Sequence, residues 1–289
     1  MSVYRITDML SDLKEMRRAT TSRKGLSTGF HDLDELMTLD TGYLSICTGY
    51  PSSGKSEFLD AILTNMAIQH EWNALIFSPE NFPLSEHARK ILEKVAGKNI
   101  RGVTNAEMND AVQFIDQHFA WMYPAEDKIK LSDILAIAHE EYERRPYHAI
   151  VIDPWNELDH SGQGGKRDDQ YISAQLTVLR RFIRDHNVHC FIVIHPSKPN
   201  DKRPDGSYPV PTLYDCNGGA MWRNKADYGW AAYRNPNENL MQLYVQKIKF
   251  KSMGRVGKVD FQYDWQSGRF KGPSDNDYLL PRHESEPPL

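Results

Sequence analysis

Cysteine is scarce in this chain: there are three in 289 residues, Cys47, Cys190 and Cys216, far apart and without a C-x-x-C pair. That argues against a disulfide-stapled fold and a cysteine zinc site, because both need thiols in recurring close spacings. Cys47 and Cys190 stand inside apolar runs, where reduced core residues are expected. Long apolar stretches are missing too, since none reaches the ~18 residues that span a bilayer. The first residues, Met1-Ser2-Val3-Tyr4-Arg5, lack the apolar core of a secretory signal. A cytoplasmic protein without a membrane partner is therefore expected. Nor is there an excess of positive charge: the net charge of −4 argues against coating nucleic acid with the whole surface, while leaving room for a local basic site. No internal repeat divides the chain, so one large α/β domain is the expectation.

What is present centres on Gly49-Tyr50-Pro51-Ser52-Ser53-Gly54-Lys55-Ser56, which has the G-x-x-x-x-G-K-S/T spacing of a phosphate-binding loop. Tyr43-Leu44-Ser45-Ile46-Cys47-Thr48 before it reads as a buried strand. Residues 57–69 after it place Phe58, Leu59, Ile62 and Met66 at helical spacing. In that context Gly49 and Gly54 let the loop's backbone N–H groups, those of Ser52 and Ser53 included, curl around a phosphate, and the helix N-terminus adds a favourable dipole. Lys55 can reach the β- and γ-phosphates of ATP, and the Ser56 hydroxyl can ligate Mg²⁺. The plain alternative is a chance glycine turn ahead of a helix.

Residues 3–18 carry Val3, Ile6, Met9, Leu10, Leu13 and Met16 at three- and four-residue steps, which predicts an amphipathic helix. A polar, basic stretch follows, so this helix can dock on its own domain or on a neighbouring subunit. Further strands are predicted at 73–77, 121–123, 148–152 and 189–194, and helices at 84–96, 105–119, 131–142 and 169–186. Alternation of buried strands with helices predicts a parallel sheet covered on both faces. Residues 196–217 form a long loop rich in Pro, Lys, Asp and Gly, a length that is usually functional or disordered. After a short helix at 218–225, strands at 228–233, 240–249 and 258–265 are expected to extend the sheet in antiparallel fashion. The tail, 271–289, is expected to be disordered.

Ligands of parallel sheets sit at the carboxyl ends of strands, and the strands here end on chemistry. Asp153 follows four apolar residues, as a Mg²⁺-binding carboxylate beside a phosphate loop requires. Glu80 can accept a proton from a water attacking the γ-phosphate, or it can be a solvent-facing or helix-capping Glu. His195 can hydrogen-bond the γ-phosphate, or serve as a satisfied structural histidine. Lys198, Lys202 and Arg203 can contact nucleic-acid phosphates, although Asp201 and Asp205 dilute that loop and no series of stacking aromatics runs through it.

Taken together, these landmarks resemble the RecA-like motor domain of hexameric superfamily-4 replicative helicases: bacterial DnaB, mitochondrial Twinkle and the helicase half of phage primase-helicases. The resemblance covers 25–270 and rests on Gly25-Leu26-Ser27-Thr28-Gly29-Phe30, the phosphate loop, Ser78-Pro79-Glu80, Ile150-Val151-Ile152-Asp153, Val193-Ile194-His195-Pro196, Asn217-Gly218-Gly219-Ala220 and Gln246-Lys247-Ile248-Lys249-Phe250. It implies a P-loop NTPase of α/β class, with a mostly parallel sheet extended by antiparallel strands, using ATP or another NTP with Mg²⁺. It implies that Glu80 is the general base and His195 the γ-phosphate sensor. It further implies that the loop after His195 lines a channel for single-stranded DNA, and that Arg234 and Tyr263 sandwich the nucleotide base. The expected assembly is a homo-oligomeric, hexameric ring moving 5′ to 3′ in a bacterial or phage-infected cell, with a separate primase or loader. Where the family places a trans-acting arginine finger this chain has Lys249, with Arg255 six residues on. The family's primase, zinc-binding or collar domain is not seen ahead of the motor in this sequence, so either residues 1–24 serve as a subunit-docking helix and linker or the sequence is a fragment of a longer protein. Two other readings stay open: a recombination- or clock-type ATPase that assembles without unwinding, and a nucleotide-binding scaffold with little turnover.

Overall fold

Strands of three to eight residues pair edge to edge into one sheet in the computed structural model, which describes residues 5–18, 25–123, 128–165, 167–197, 202, 206–234 and 240–275. Among the described residues the strands are β1 (Leu44–Thr48), β2 (Ala74–Phe77), β3 (Phe119–Met122), β4 (Ala149–Ile152), β5 (His189–Ile194), β6 (Tyr228–Arg234), β7 (Met241–Ile248), β8 (Gly257–Asp264) and β9 (Arg269–Lys271). Their order is β3-β2-β4-β5-β1-β6-β7-β8-β9. Neighbours from β3 to β6 are parallel, and those from β6 to β9 are antiparallel.

Both faces of the parallel part are buried, which is why its strands read as continuous apolar runs. Successive residues still alternate between two cores. Cys47, Ile76, Val151 and Val193 join one with α3 (Lys55–His70), α4 (Leu84–Ala96) and α5 (Asn105–His118). Ile46, Phe77, Ile152 and Ile194 join the other with α6 (Leu131–Arg144), α7 (Asp168–His186) and α8 (Ala220–Lys225). The short α2 (His31–Asp34) seals the first core through Leu33. Ahead of it, a 3-10 turn (Ile6–Met9) leads into α1 (Leu10–Arg18), and Ile6, Met9, Leu10 and Leu13 stay exposed.

Two features depart from the sequence-based expectation. Strand β9 is three residues long, too short for a periodic signal. It is held by pairing with β8 and by the Arg269 guanidinium, which donates to the Lys94 and Val95 carbonyls at the end of α4, at 2.7 and 3.1 Å. The ordered chain also runs past 270: Lys271 belongs to β9, and Asp275 accepts from the Gly272 and His31 backbones at 2.8 and 3.1 Å. Residues 276–289 lie outside the described residues.

One buried side chain makes stability depend on pH. His189, at the start of β5, sits in full burial between the Asp40 carbonyl (2.6 Å) and Ser45 Oγ (2.7 Å). A carbonyl only accepts, so Nδ1 carries the proton and Nε2 takes the serine hydroxyl. Burial disfavours the imidazolium and pushes the pKa from 6.5 down to about 4. The unfolded chain therefore binds this proton first as the pH falls. The contribution is fully present above pH 6.5 and is lost on the way down to about 4, amounting to about 3 kcal/mol in all. Other buried groups titrate in the same window, so the loss is read as a difference: the stability gap between the unsubstituted protein and His189→Asn in urea unfolding should shrink by this amount from pH 7 to 4.

Candidate active site

The turn after β1 has a shape that few other residues would permit. A Cβ at Gly49 would collide with the Ala232 carbonyl and with Ser53 Oγ. Ser52 and Gly54 both adopt left-handed backbones, at φ 62° and 93°, which curl the loop before α3 opens at Lys55 rather than at 57. Ser53 Oγ is buried with no hydrogen-bond partner among the described residues. A buried orphan hydroxyl inside a curl of backbone N–H groups at a helix N-terminus fits a phosphate oxygen.

Lys55 is itself buried, its Nζ donating to the Tyr50 carbonyl at 3.0 Å. Burial lowers its pKa, against the opposing pull of Cys47, Asp153 and Glu80. The Ser56 hydroxyl stands near enough to the Asp153 carboxylate to favour its charged form, so the two groups expected to share Mg²⁺ are neighbours. Asp153, 4% exposed, also accepts from Ser78 Oγ at 3.3 Å. Its pKa is pushed up to about 6, mainly by burial and with the Ser56 hydroxyl opposing. A buried carboxylate raised in this way is one that a bound cation would relieve. Hard Mg²⁺ typically takes one or two such protein oxygens and leaves the rest of its shell to water and phosphate.

Register explains the convergence. Thr48 pairs with Ile194, Ile192 with Ile152, and Ile152 with Phe77, so β1, β5, β4 and β2 end on one edge of the sheet. Glu80 and His195 therefore meet above it, with Nε2 4.0 Å from Oε2. The His195 backbone N–H donates to Asn156 Oδ1 at 3.0 Å. Burial lowers the His195 pKa and the nearby Lys55 charge adds to the effect, favouring a neutral ring.

The remaining expected residues are placed unevenly. Tyr263 packs on Phe270 (centroids 4.9 Å apart) and donates to Glu57 of α3 at 3.3 Å, and Glu57 also holds the ammonium of Lys94, which is 1% exposed. Arg234 is exposed at the end of β6, paired with Met241, whose side chain borders Gly54. Both thus lie on the phosphate-loop side. Lys202 is exposed and stands over the Tyr208 ring at 4.9 Å, whereas Lys198 and Arg203 lie outside the described residues.

Lys249 does not join the cluster. It follows β7 at the opposite edge of the sheet, where its Nζ bonds Asp227 Oδ1 at 2.9 Å beside Arg180, which bonds the same carboxylate. Arg255, also expected as a candidate, has its backbone pinned to the Leu36 carbonyl at 2.8 Å. Three partners went unanticipated: Asn156 behind His195, Ser78 behind Asp153, and Tyr208, whose ring meets Tyr50 of the phosphate loop. Ser78 adjoins Pro79-Glu80 and was open to inference from that landmark. Asn156 and Tyr208 sit in connections with no periodic signal.

Comparison with known proteins identifies the family and the fold. The profile of the DnaB-like helicase C terminal domain matches residues 25–272. A Twinkle homolog protein, chloroplastic/mitochondrial, of Arabidopsis thaliana is 33% identical over 261 residues, 85% of this chain and 36% of the relative. A probable replicative DNA helicase of Trieres chinensis is 25% identical over 273 residues, 89% of this chain and 58% of the relative. The chain thus spans only part of the length of these relatives. Among solved structures, one of an isolated ATPase domain superposes with a TM-score of 0.76 at 17% identity, covering 93% of this chain and 99% of that one. A DnaB-like replicative helicase, studied with its primase interactions, gives 0.75 at 18%, covering 91% and 67%. These likenesses establish the RecA-like fold of DnaB-type ATPase domains.

Proposed function

We propose, since this chain belongs to the DnaB-like helicase C-terminal domain family, that it is the ATP-hydrolysing motor of a replicative DNA helicase, acting as a hexameric ring that moves 5′ to 3′ on single-stranded DNA. The observation that carries the reading is the split of the site. Lys55, Ser56, Glu80, Asp153 and His195 gather on one edge of the sheet, and Lys249 stands on the other. A cation on the far edge can serve an ATP only if that ATP belongs to the next subunit.

In this mechanism the loop from Gly49 to Ser56 holds the phosphates and Lys55 takes the β- and γ-oxygens. Ser56 and Asp153 hold Mg²⁺, which supplies charge neutralisation at the phosphates when bound. Glu80 accepts the proton of the attacking water, and neutral His195 donates a hydrogen bond at the γ-phosphate and senses its departure. Arg234 and Tyr263 flank the base, and Lys249 of the neighbouring subunit offsets charge on the transferring phosphoryl group. The exposed apolar face of α1 supports docking on a neighbouring subunit. No helix among the described residues is long and apolar enough to cross a membrane. The setting of this reading is the cytoplasm of a bacterial or phage-infected cell, alongside a separate primase or loader.

The loop after β5 carries the strand contacts. Lys198→Ala, Lys202→Ala and Arg203→Ala together should weaken oligo-dT binding and reduce the salt slope by about 2, since each single-strand phosphate contact contributes about 0.7. Nucleotide affinity should not follow, and an unchanged slope would move the DNA contacts elsewhere. The reading as a whole is tested with forked duplexes bearing a 5′ or a 3′ single-stranded arm. Unwinding that requires the 5′ arm and ATP is expected. Strand-dependent hydrolysis without unwinding would favour the filament-forming ATPase instead.

A further inference from the structure

The loop after β5 leans back onto the phosphate loop through two tyrosines. Lys55 Nζ donates to the Tyr50 carbonyl at 3.0 Å. The Tyr50 ring meets the Tyr208 ring with centroids 5.3 Å apart and planes tilted by 44°. Lys202 Nζ stands 4.9 Å from the centroid of that second ring. Tyr208 is anchored by its own carbonyl, which accepts from Tyr233 OH at 2.9 Å, and Tyr233 is buried in β6, the neighbour of β1. Two aromatic rings are thus all that separates the residue whose ammonium binds phosphate from an exposed ammonium of the strand-binding loop.

The chain of contacts has a direction. A phosphate oxygen is a stronger acceptor for Lys55 Nζ than a neutral carbonyl, because a bond between two ionised groups is shorter and stronger. The ammonium has three donors and spends one on Tyr50, so a phosphate that draws Nζ toward itself pulls on that bond, and any resetting of the Tyr50 peptide moves the ring on which Tyr208 rests. A tilted ring pair has a preferred offset, and a cation over a ring follows the ring's face.

We infer that Tyr50 and Tyr208 are positioning residues that tie phosphate occupancy at Lys55 to the placement of Lys202 on a single nucleic-acid strand. This rests on the proposed reading of the loop as strand-binding. The contact belongs to this chain's own side chains, since neither tyrosine is demanded by the phosphate-loop spacing.

The test measures labelled oligo-dT binding to the full chain by fluorescence anisotropy, without nucleotide and with a non-hydrolysable ATP analogue plus Mg²⁺. In the unsubstituted protein the analogue should change the strand Kd by about fivefold or more. Tyr208→Ala and Tyr50→Ala should bring that ratio to within about twofold of one, whereas Tyr208→Phe and Tyr50→Phe, which keep the ring, should preserve it. A fluorescent ATP analogue checks that Tyr208→Ala still has a folded phosphate site. Full coupling in Tyr208→Ala, or an unsubstituted protein that binds the strand equally in both states, overturns the inference and leaves the helicase reading standing. If the unsubstituted protein fails to bind oligo-dT in either state, the helicase reading fails and the inference falls with it.

Discussion

Lys55→Ala is expected to lower ATP turnover by roughly 10³-fold or more, which in a steady-state phosphate-release assay amounts to its loss. The side chain is buried beside Asp153 and Glu80, and its ammonium is the positive charge those carboxylates face on this edge of the sheet. Without it, incoming phosphates would meet two carboxylates and an orphaned Ser53 hydroxyl with no fixed cation between them. Binding should weaken and the chemical step should slow, because the charge is needed most where negative charge is held during transfer. Stability should move little or rise, since burial depresses the lysine's pKa and removing a desolvated ammonium removes that penalty. Turnover persisting within about tenfold of the unsubstituted chain, with the variant folded, would mean that the phosphate loop is misassigned.

Lys249→Ala should cost almost as much, on the order of 10³ in turnover, with nucleotide affinity nearly intact. The site geometry adds a sharper expectation. If Lys55 and Lys249 serve different ATP molecules, Lys249→Ala and Lys55→Ala chains, each inactive alone, should regain activity when mixed, because a Lys249→Ala phosphate loop can be served by the intact Lys249 of its neighbour. A residue acting within its own subunit would give no such recovery. Lys249→Arg should raise turnover, because a lysine is a point charge and a guanidinium presents a planar fork to phosphate oxygens. At rest Lys249 is held by Asp227, which also binds Arg180, so it must exchange one anion for another to act. If neither substitution changes the rate, the trans cation is another residue, with Arg255 the next to test.

Much of the site was legible in the chain because its parts are local. The phosphate loop is one turn between a strand and a helix, and its glycines follow from conformations found here at Gly54 and from the collision a side chain would cause at Gly49. Asp153 and His195 close runs of apolar residues, a pattern that buried parallel strands impose. Strand β9 and the ordered residues to Asp275 were not legible. They are held by Arg269 on the end of α4 and by Asp275 on the start of α2, contacts that join distant parts of the chain. The loop after β5 was read as poor in stacking aromatics. Tyr208 becomes an aromatic partner only because the fold lays it on Tyr50.

By itself, then, the sequence determined the class of chemistry: a phosphate loop, two strand-end carboxylates, a strand-end histidine and the alternation that makes a covered sheet. The tertiary structure alone decided which of these residues meet. The chain leaves β1 for β2, which lies beyond β5 and β4, and this order carries Glu80 to within 4.0 Å of His195. The reversal from β6 to β7 sends Lys249 to the far edge, where Asp227 holds it away from the phosphate loop. The division has a physical cause. Turn geometry and strand burial act over a few neighbouring residues and leave their mark in spacing, whereas strand order and edge are settled by pairings between residues distant in the chain, which no local spacing encodes.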